Sequence, residues 1–197
     1  MRLQVVSLLK DDEKEELIML KNERIMLVEP TIGLADTMYC AIKENREYLS
    51  RYMPWVKAIT NEESFIENMK EAVENFNKCE NELRFSIIRL DDNRFLGALG
   101  LIVRDKEIPF FEMGYWLCRD AVGFGYVSDG VKLLEKYAFE NLKAKRIEIR
   151  MAASNMASRK VAERNHYQLE GILKCERRLP SGEIDDTAIY SKCMYQC

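Results

Sequence analysis

Apolar and polar positions change period along the chain, and the changes mark its elements. Residues 24–29, Arg-Ile-Met-Leu-Val-Glu, form a short apolar run stopped by Pro30, which predicts a strand. Over 35–49 the spacing is helical, with Met38, Ala41, Ile42 and Leu49 on one face. Residues 52–56, Tyr-Met-Pro-Trp-Val, interrupt it as an apolar loop. Thr60 stands three residues before Glu63, a capping box, and Phe65, Met69, Ala72, Val73 and Phe76 recur behind it at helical intervals. A block of strands follows at 83–90, 95–103 and 110–117, the first two joined by an Asp91-Asp92-Asn93 hairpin turn. Gly97 and Gly100 inside the second strand point to close packing or a bulge. Val122-Gly123-Phe124-Gly125 is a glycine turn, and it opens a helix to about Asn141 with Val131, Leu134, Ala138 and Phe139 as its stripe. Residues 146–152 predict a strand, and 156–164 a short helix with Asn155 as its N-cap. Two long strands, 169–179 and 184–194, are joined by Pro180-Ser181-Gly182-Glu183.

This order is strand, two helices, three antiparallel strands, helix, strand, helix, two strands. It predicts a mixed α/β domain, α+β in character, built around one sheet. The first eighteen residues read as an appendage, with a strand at 3–9 and a solvated acidic run at 11–16. The expected domain spans 22–197, with 1–21 as an N-terminal extension, the start at 22 being where the resemblance described below begins. A chain of 197 residues makes about one domain and buries a core without disulfides or metals.

Charge and cysteine use narrow the chemistry. Thirty basic against thirty-three acidic side chains give a net charge of −3, without the basic excess of a nucleic-acid binder. No apolar run is long enough to cross a bilayer, and residues 1–16 make a poor signal peptide. The chain reads as cytoplasmic. Cys40, Cys79, Cys118, Cys175, Cys193 and Cys197 form no C-x-x-C pair and read as reduced thiols. With His166 the single histidine, a zinc site or a Ser-His-Asp triad is a poor fit. No metal is expected.

Two junctions carry candidate chemistry. The strand–glycine turn–helix unit over 110–141 brings backbone close to a ligand at Gly123 and Gly125, and aims free N–H groups and a helix dipole at it. It is neither a Walker motif nor a dinucleotide-binding fingerprint, and a tight turn without a ligand is the alternative. Asn155-Met156-Ala157-Ser158-Arg159-Lys160 lies at a second strand–helix junction, where polar groups reach a ligand at the strand end. Helix capping alone is the alternative for Asn155.

Together these junctions resemble the GNAT acetyltransferases, closest to the branch that acetylates ribosomal-protein N-termini (RimJ/RimL-type). The resemblance is carried by Met53-Pro54-Trp55, Glu112-Met113-Gly114-Tyr115-Trp116-Leu117, Gly123-Phe124-Gly125-Tyr126 and Arg146-Ile147-Glu148-Ile149-Arg150. It continues through Asn155-Met156-Ala157-Ser158-Arg159, Leu169-Glu170-Gly171-Ile172-Leu173 and Asp186-Thr187-Ala188-Ile189-Tyr190-Ser191, and covers about residues 22–194. Seven blocks in the family's order make it specific. It departs at Val122 and Val127, which replace a polar and a small residue of the family's pyrophosphate loop, and at His166-Tyr167, where relatives have Gly-Phe.

The resemblance implies a central, mostly antiparallel sheet splayed into a V and flanked by helices, with acetyl-CoA in the opening. Backbone N–H groups of Gly123, Phe124, Gly125, Tyr126, Val127 and Ser128 would hold the pyrophosphate, with Asn155 and Ser158 at the cofactor and its thiol. Glu176 maps to the family's base, and Glu112 is the other candidate. An N–H near Leu117, at the family's strand bulge, would polarise the thioester, Ser158 would return a proton to the thiolate, and Trp55 and Tyr115 would wall the acceptor groove. The implied reaction is direct attack by a primary amine. A protein α-amino group, pKa ~7.7–8.0, is roughly a tenth neutral at pH 7, a lysine amine about one in a few thousand. The expected acceptor is a protein N-terminus, as on a ribosomal protein. A small amine such as a polyamine or aminoglycoside-like drug, and a non-catalytic acyl-CoA binder, remain open, as does pairing with a second copy of the chain.

Overall fold

The computed structural model of the chain describes residues 18–194. The predicted strand at 3–9, the acidic run and Cys197 lie outside the described residues. Eight strands form one sheet: β1 (Met19–Lys21), β2 (Ile25–Val28), β3 (Glu82–Arg89), β4 (Phe95–Asp105), β5 (Phe110–Leu117), β6 (Arg146–Ala152), β7 (Gln168–Arg178) and β8 (Ile184–Cys193). The helices are α1 (Ala35–Glu44), α2 (Arg46–Leu49), α3 (Glu62–Lys78), α4 (Tyr126–Glu140) and α5 (Met156–Arg164). The strand order is β1-β2-β3-β4-β5-β6-β8-β7. Neighbours are antiparallel except β5 and β6. The predicted mixed α/β architecture is the observed one.

The parallel pair is short, and that shapes the molecule. Phe110, Phe111 and Glu112 pair with Arg146, Ile147 and Glu148, and there the pairing stops. Beyond it β5 stays paired with β4 as far as Leu117, opposite Gly97. β6 stays paired with β8 as far as Ala152, opposite Thr187. Each half of the sheet keeps its own ladder, so the two strands part like a V. Side-chain alternation then assigns the faces. Gly130 of α4 sits over Leu99 and Leu27, where an added Cβ would come within 3.2 Å of Leu99 Cδ1. Trp116, one position along β5 from Tyr115, packs at a tilt against Trp55 on the other side. Fully buried Phe85, Leu99, Leu101 and Met113 fill the centre.

Three local readings change. The predicted helix at 35–49 breaks into α1 and α2 at Asn45, whose Nδ2 donates back to Ala41 O at 2.8 Å while its Oδ1 accepts from Arg119 N at 2.8 Å. An Asn that bonds backbone competes with helix continuation. The cap of α3 is Asn61, whose Oδ1 accepts from Ser64 N at 2.8 Å, so the Thr60–Glu63 box is displaced by one residue. Asn is at least as good an N-cap as Thr, and the register follows the residue that makes the bond. β1 went unmarked because three residues are too few to show a period; it pairs with β2 at Met19–Val28.

The strand glycines answer to packing and bulge together. Gly97 has φ +152° and lies beside the register shift between Ile87 and Ile88. A Cβ there would meet Trp116 O at 2.2 Å. His166 has φ +62°, a left-handed conformation that histidine tolerates better than most residues.

Candidate active site

The wide end of the V opens into a cavity of about 620 Å³. Its walls come from both arms: Met113, Gly114, Tyr115 and Trp116 from β5, and Ile149, Arg150, Met151 and Ala152 from β6. Asn155 and Ser158, at the start of α5, close one side. They stand there because α5 begins directly after the end of β6, on the diverging arm. Asn155 Oδ1 accepts from Ser158 N at 3.2 Å, so it caps the helix and lines the cavity at once.

Ser158 faces Tyr115 across the V. Tyr115 OH lies 3.0 Å from Ser158 Oγ and donates to Ser158 O at 3.1 Å. The hydroxyl–hydroxyl bond can run in either direction, since the phenol's one proton can go to the carbonyl or to the serine oxygen. Burial pushes the Tyr115 phenol well above its ordinary pKa, the Ser158 hydrogen bond offsetting part of the shift. The pair therefore holds two protons at the junction of the two arms at neutral pH.

A strap of residues 52–59 covers the opposite side. Tyr52 OH donates to Ser154 O at 3.3 Å, and Lys57 Nζ donates to Pro180 O at 2.6 Å. Arg46 holds the strap from below through the carbonyls of Val56 and Ile59. Trp55 is 37 % exposed, lies 6.1 Å from Trp116 by ring centroids, and lines the cavity with Tyr115. The two predicted groove residues are thus walls of one cavity.

The glycine turn is a second feature, past the end of β5. Gly123 and Gly125 have φ +95° and +85°, and nothing lies within 4 Å of a Cβ on Gly123. Gly125 caps α4 without a side-chain bond, and the first helical bond runs from Asp129 N to Gly125 O. Among the described residues the N–H groups of Gly123, Phe124, Gly125, Tyr126, Val127 and Ser128 have no acceptor. A run of free donors at a helix N-terminus is an anion cradle. Arg24 braces it: Nη2 donates to Phe124 O at 2.7 Å, Nη1 pairs with Asp129 at 3.0 Å, and the guanidinium sits 4.8 Å over the Tyr126 ring. Ser128 also reaches α5, its Oγ accepting from Arg164 at 3.5 Å.

The remaining candidates are placed differently. Glu176 lies on exposed β7 at a bulge between Leu173 and Arg177, where Cys175 has φ +53°. It is outside the cavity lining but pairs with Arg150, which lines it, at 3.3 Å. The hydroxyl of Thr187, then the Arg150 and Arg177 guanidiniums, hold its carboxyl below the usual carboxylate range. Glu112 lies at the closed end of the V, opposite Glu148, with its carboxylate on Arg104 Nε at 3.0 Å. The structure does not bring Glu112 to the cavity. Leu117 is buried and paired with Gly97. The β4–β5 register runs unbroken there, and the irregularity expected beside Leu117 lies one strand away, between Ile87 and Ile88. Backbone groups of β5 past Glu112 still face the V without a strand partner.

Sequence reading missed Arg24, Glu82, Arg84, Arg150 and Arg177. Arg24 meets the turn from 100 residues away, and no local spacing signals such a contact.

Comparison with known proteins matches residues 24–168 to the family model described as an acetyltransferase (GNAT) domain. An uncharacterized N-acetyltransferase p20 from Bacillus licheniformis is 32% identical over 108 residues, 55% of this chain and 60% of that protein. The chain thus matches under two thirds of that relative's length. The solved structure of RimL, a ribosomal L7/L12 alpha-N-protein acetyltransferase in complex with coenzyme A, superposes with a TM-score of 0.84 at 20% identity, covering 89% of this chain and 98% of that one. The microcin C7 self-immunity acetyltransferase MccE, solved with acetyl-CoA and AMP, gives 0.78 at 26% identity, covering 88% and 94%.

Proposed function

The chain belongs to the GNAT acetyltransferase family, and we propose that it transfers acetyl from acetyl-CoA directly to a primary amine, the α-amino group at the N-terminus of a protein. The observation that carries the reading is the donor cradle at 123–128 beside a V whose mouth holds the Tyr115–Ser158 pair. RimL and MccE, which share the fold, were solved with coenzyme A and with acetyl-CoA. RimL's ribosomal-protein acceptor supports a protein N-terminus here.

The residues present fit the cofactor. Two positive-φ glycines leave the cradle open, and Val122 and Val127 cost it side-chain contacts rather than backbone donors. The N–H groups of 123–128 would hold the pyrophosphate, and Asn155 would stand near the pantetheine end. When bound, acetyl-CoA supplies an activated acetyl group on a thioester. Ser158 Oγ holds a proton where the sulfur departs, and Tyr115 OH holds a second one behind it. Trp55 and Trp116 limit water on the acceptor side. Glu176, ionised throughout the neutral range, is the carboxylate that takes the amine's proton, directly or through water. No enzyme-bound acyl group is required.

The test is thermal unfolding with acetyl-CoA, and with ADP as the weaker comparator, followed by turnover. At a hundredfold excess over Kd, acetyl-CoA adds ~2.7 kcal/mol. For a chain of this length the midpoint rises by roughly 5–10 °C. Peptides beginning with Ala, Ser or Met are then acetylated at the α-amine, read by mass spectrometry. No shift at millimolar acetyl-CoA makes the chain a non-catalytic relative, and turnover of polyamines alone replaces the protein acceptor with a small amine.

Arg24→Gln is expected to weaken acetyl-CoA about tenfold, because a charge-assisted hydrogen bond that shapes the cradle is worth ~1.5 kcal/mol. The measurement is the acetyl-CoA Kd by calorimetry. An unchanged Kd would free the cradle from its brace.

A further inference from the structure

Four charged side chains line the acceptor cavity: Glu82, Arg84, Arg150 and Arg177. Glu82 and Arg84 neutralise one another, with Arg84 Nε and Nη2 on Glu82 Oε2 at 3.2 and 2.9 Å and Arg84 Nη1 on Asn68 at 3.0 Å. Arg150 is paired with Glu176 at 3.3 Å and Glu148 at 3.9 Å. Arg177 differs. Its Nε donates to Thr187 Oγ1 at 3.2 Å, and Thr187 in turn donates to Glu176, so Arg177 feels the Glu176 charge through one hydroxyl but, among the described residues, makes no direct ion pair. Thr187 is fully buried, so it anchors Nε, and among the described residues neither terminal nitrogen makes a hydrogen bond. A half-buried guanidinium anchored at Nε with both terminal nitrogens free is a fork for a carboxylate or phosphate.

The position of Arg177 says which ligand presents that anion. None of the cavity-lining residues belongs to the 122–128 turn, so the cation is separate from the pyrophosphate cradle. Arg177 pairs in register with Asp185, and Asp185 accepts from Ser154 Oγ at 2.6 Å. Ser154 lies beyond the end of β6, at the wide end of the V, and its carbonyl receives the strap's Tyr52. Arg177 therefore stands where an acceptor enters, and Ser158 stands on α5 where the amine reacts.

We propose that Arg177 selects acceptors bearing an anion next to the reactive amine: a protein N-terminus with Asp or Glu at its second or third residue. This rests on the acetyltransferase reading above. An acceptor with a basic residue there meets the Arg177 cation and is disfavoured. Arg150 adds positive potential but keeps its own carboxylates, so the discrimination belongs to Arg177.

The experiment compares Ser-Glu-Glu and Ser-Gln-Gln peptides of otherwise identical sequence, and O-phosphoethanolamine against ethanolamine, with wild type, Arg177→Gln and Arg177→Lys. Two readouts are taken: kcat/KM for acetylation, and peptide Kd without acetyl-CoA. The acidic peptide is expected to be favoured about tenfold in both, the preference falling to near one in Arg177→Gln and returning in part in Arg177→Lys. Apo melting curves and the acetyl-CoA midpoint shift check that the variants fold and bind cofactor. Equal kcat/KM for both peptides in wild type, or a preference that survives Arg177→Gln, overturns the inference. Arg177-dependent preference for phosphoethanolamine without one for acidic peptide keeps the anion fork and assigns it to a small amine. Arg177-dependent binding of acidic peptide with no acetylation would instead overturn the acetyltransferase reading.

Discussion

Gly97→Ala is expected to destabilise the fold by about 3–5 kcal/mol, the sum of backbone strain and overpacking. The new methyl would lie 2.2 Å from Trp116 O and 2.8 Å from Leu117 Cα, both backbone atoms of β5 that cannot rotate away. The φ of +152° adds strain for any side chain. For a chain of this length the midpoint should fall by roughly 10 °C. Two neighbouring glycines serve as controls. Gly100→Ala approaches Glu82 Oε1 at 2.9 Å, the mobile end of a side chain, as well as Leu83 O at 3.0 Å, and costs less. Gly114→Ala meets nothing within 4 Å and leaves stability near wild type. Urea unfolding of the three variants checks the order. A Gly97→Ala loss no larger than that of Gly100→Ala would mean that β4 and β5 separate easily.

Ser158→Ala should lower kcat about a hundredfold, the lower range for loss of a positioned proton donor. The acetyl-CoA midpoint shift should stay, because the cradle at 123–128 is built from backbone donors on another helix. Tyr115→Phe should cost less. It removes the group 3.0 Å behind the serine but leaves the serine hydroxyl in place. Steady-state kinetics against a Ser-starting peptide, with cofactor binding followed separately, distinguishes the two effects. A Ser158→Ala enzyme with wild-type kcat would remove the serine from proton transfer and leave it a wall of the cavity.

Much of the fold was legible because each long element carries its own period or punctuation. The hairpin at Asp91-Asp92-Asn93 shows as predicted, with Asn93 at φ +55°, and so does the turn at 180–183, with Gly182 at φ +98°. The order of strands and helices followed from those signals alone. Boundaries were less legible where two capping residues stand side by side, as Thr60 and Asn61 do, because local preference separates them by little. The break at Asn45 was hidden for a related reason. Its Oδ1 is engaged by Arg119, 74 residues on, and the helix periodicity passes through it unchanged.

For the site, the sequence by itself determined the turn glycines, the N-cap Asn155 and the polar character of the junction that holds Ser158, since each depends on backbone conformation set within a few residues. Tertiary structure decided the rest. Only the end of the β5–β6 pairing at Glu112 and Glu148 opens the V, and only that opening sets Tyr115 against Ser158. Only the folded chain separates Glu112, closed in with Arg104, from Glu176, which shares Arg150 with the cavity wall. It alone leaves Arg177, of the three cavity arginines, with no direct ion pair among the described residues. Hydrogen bonds and ion pairs are short-ranged, so which charges cancel is decided by residues that meet only after the sheet has formed.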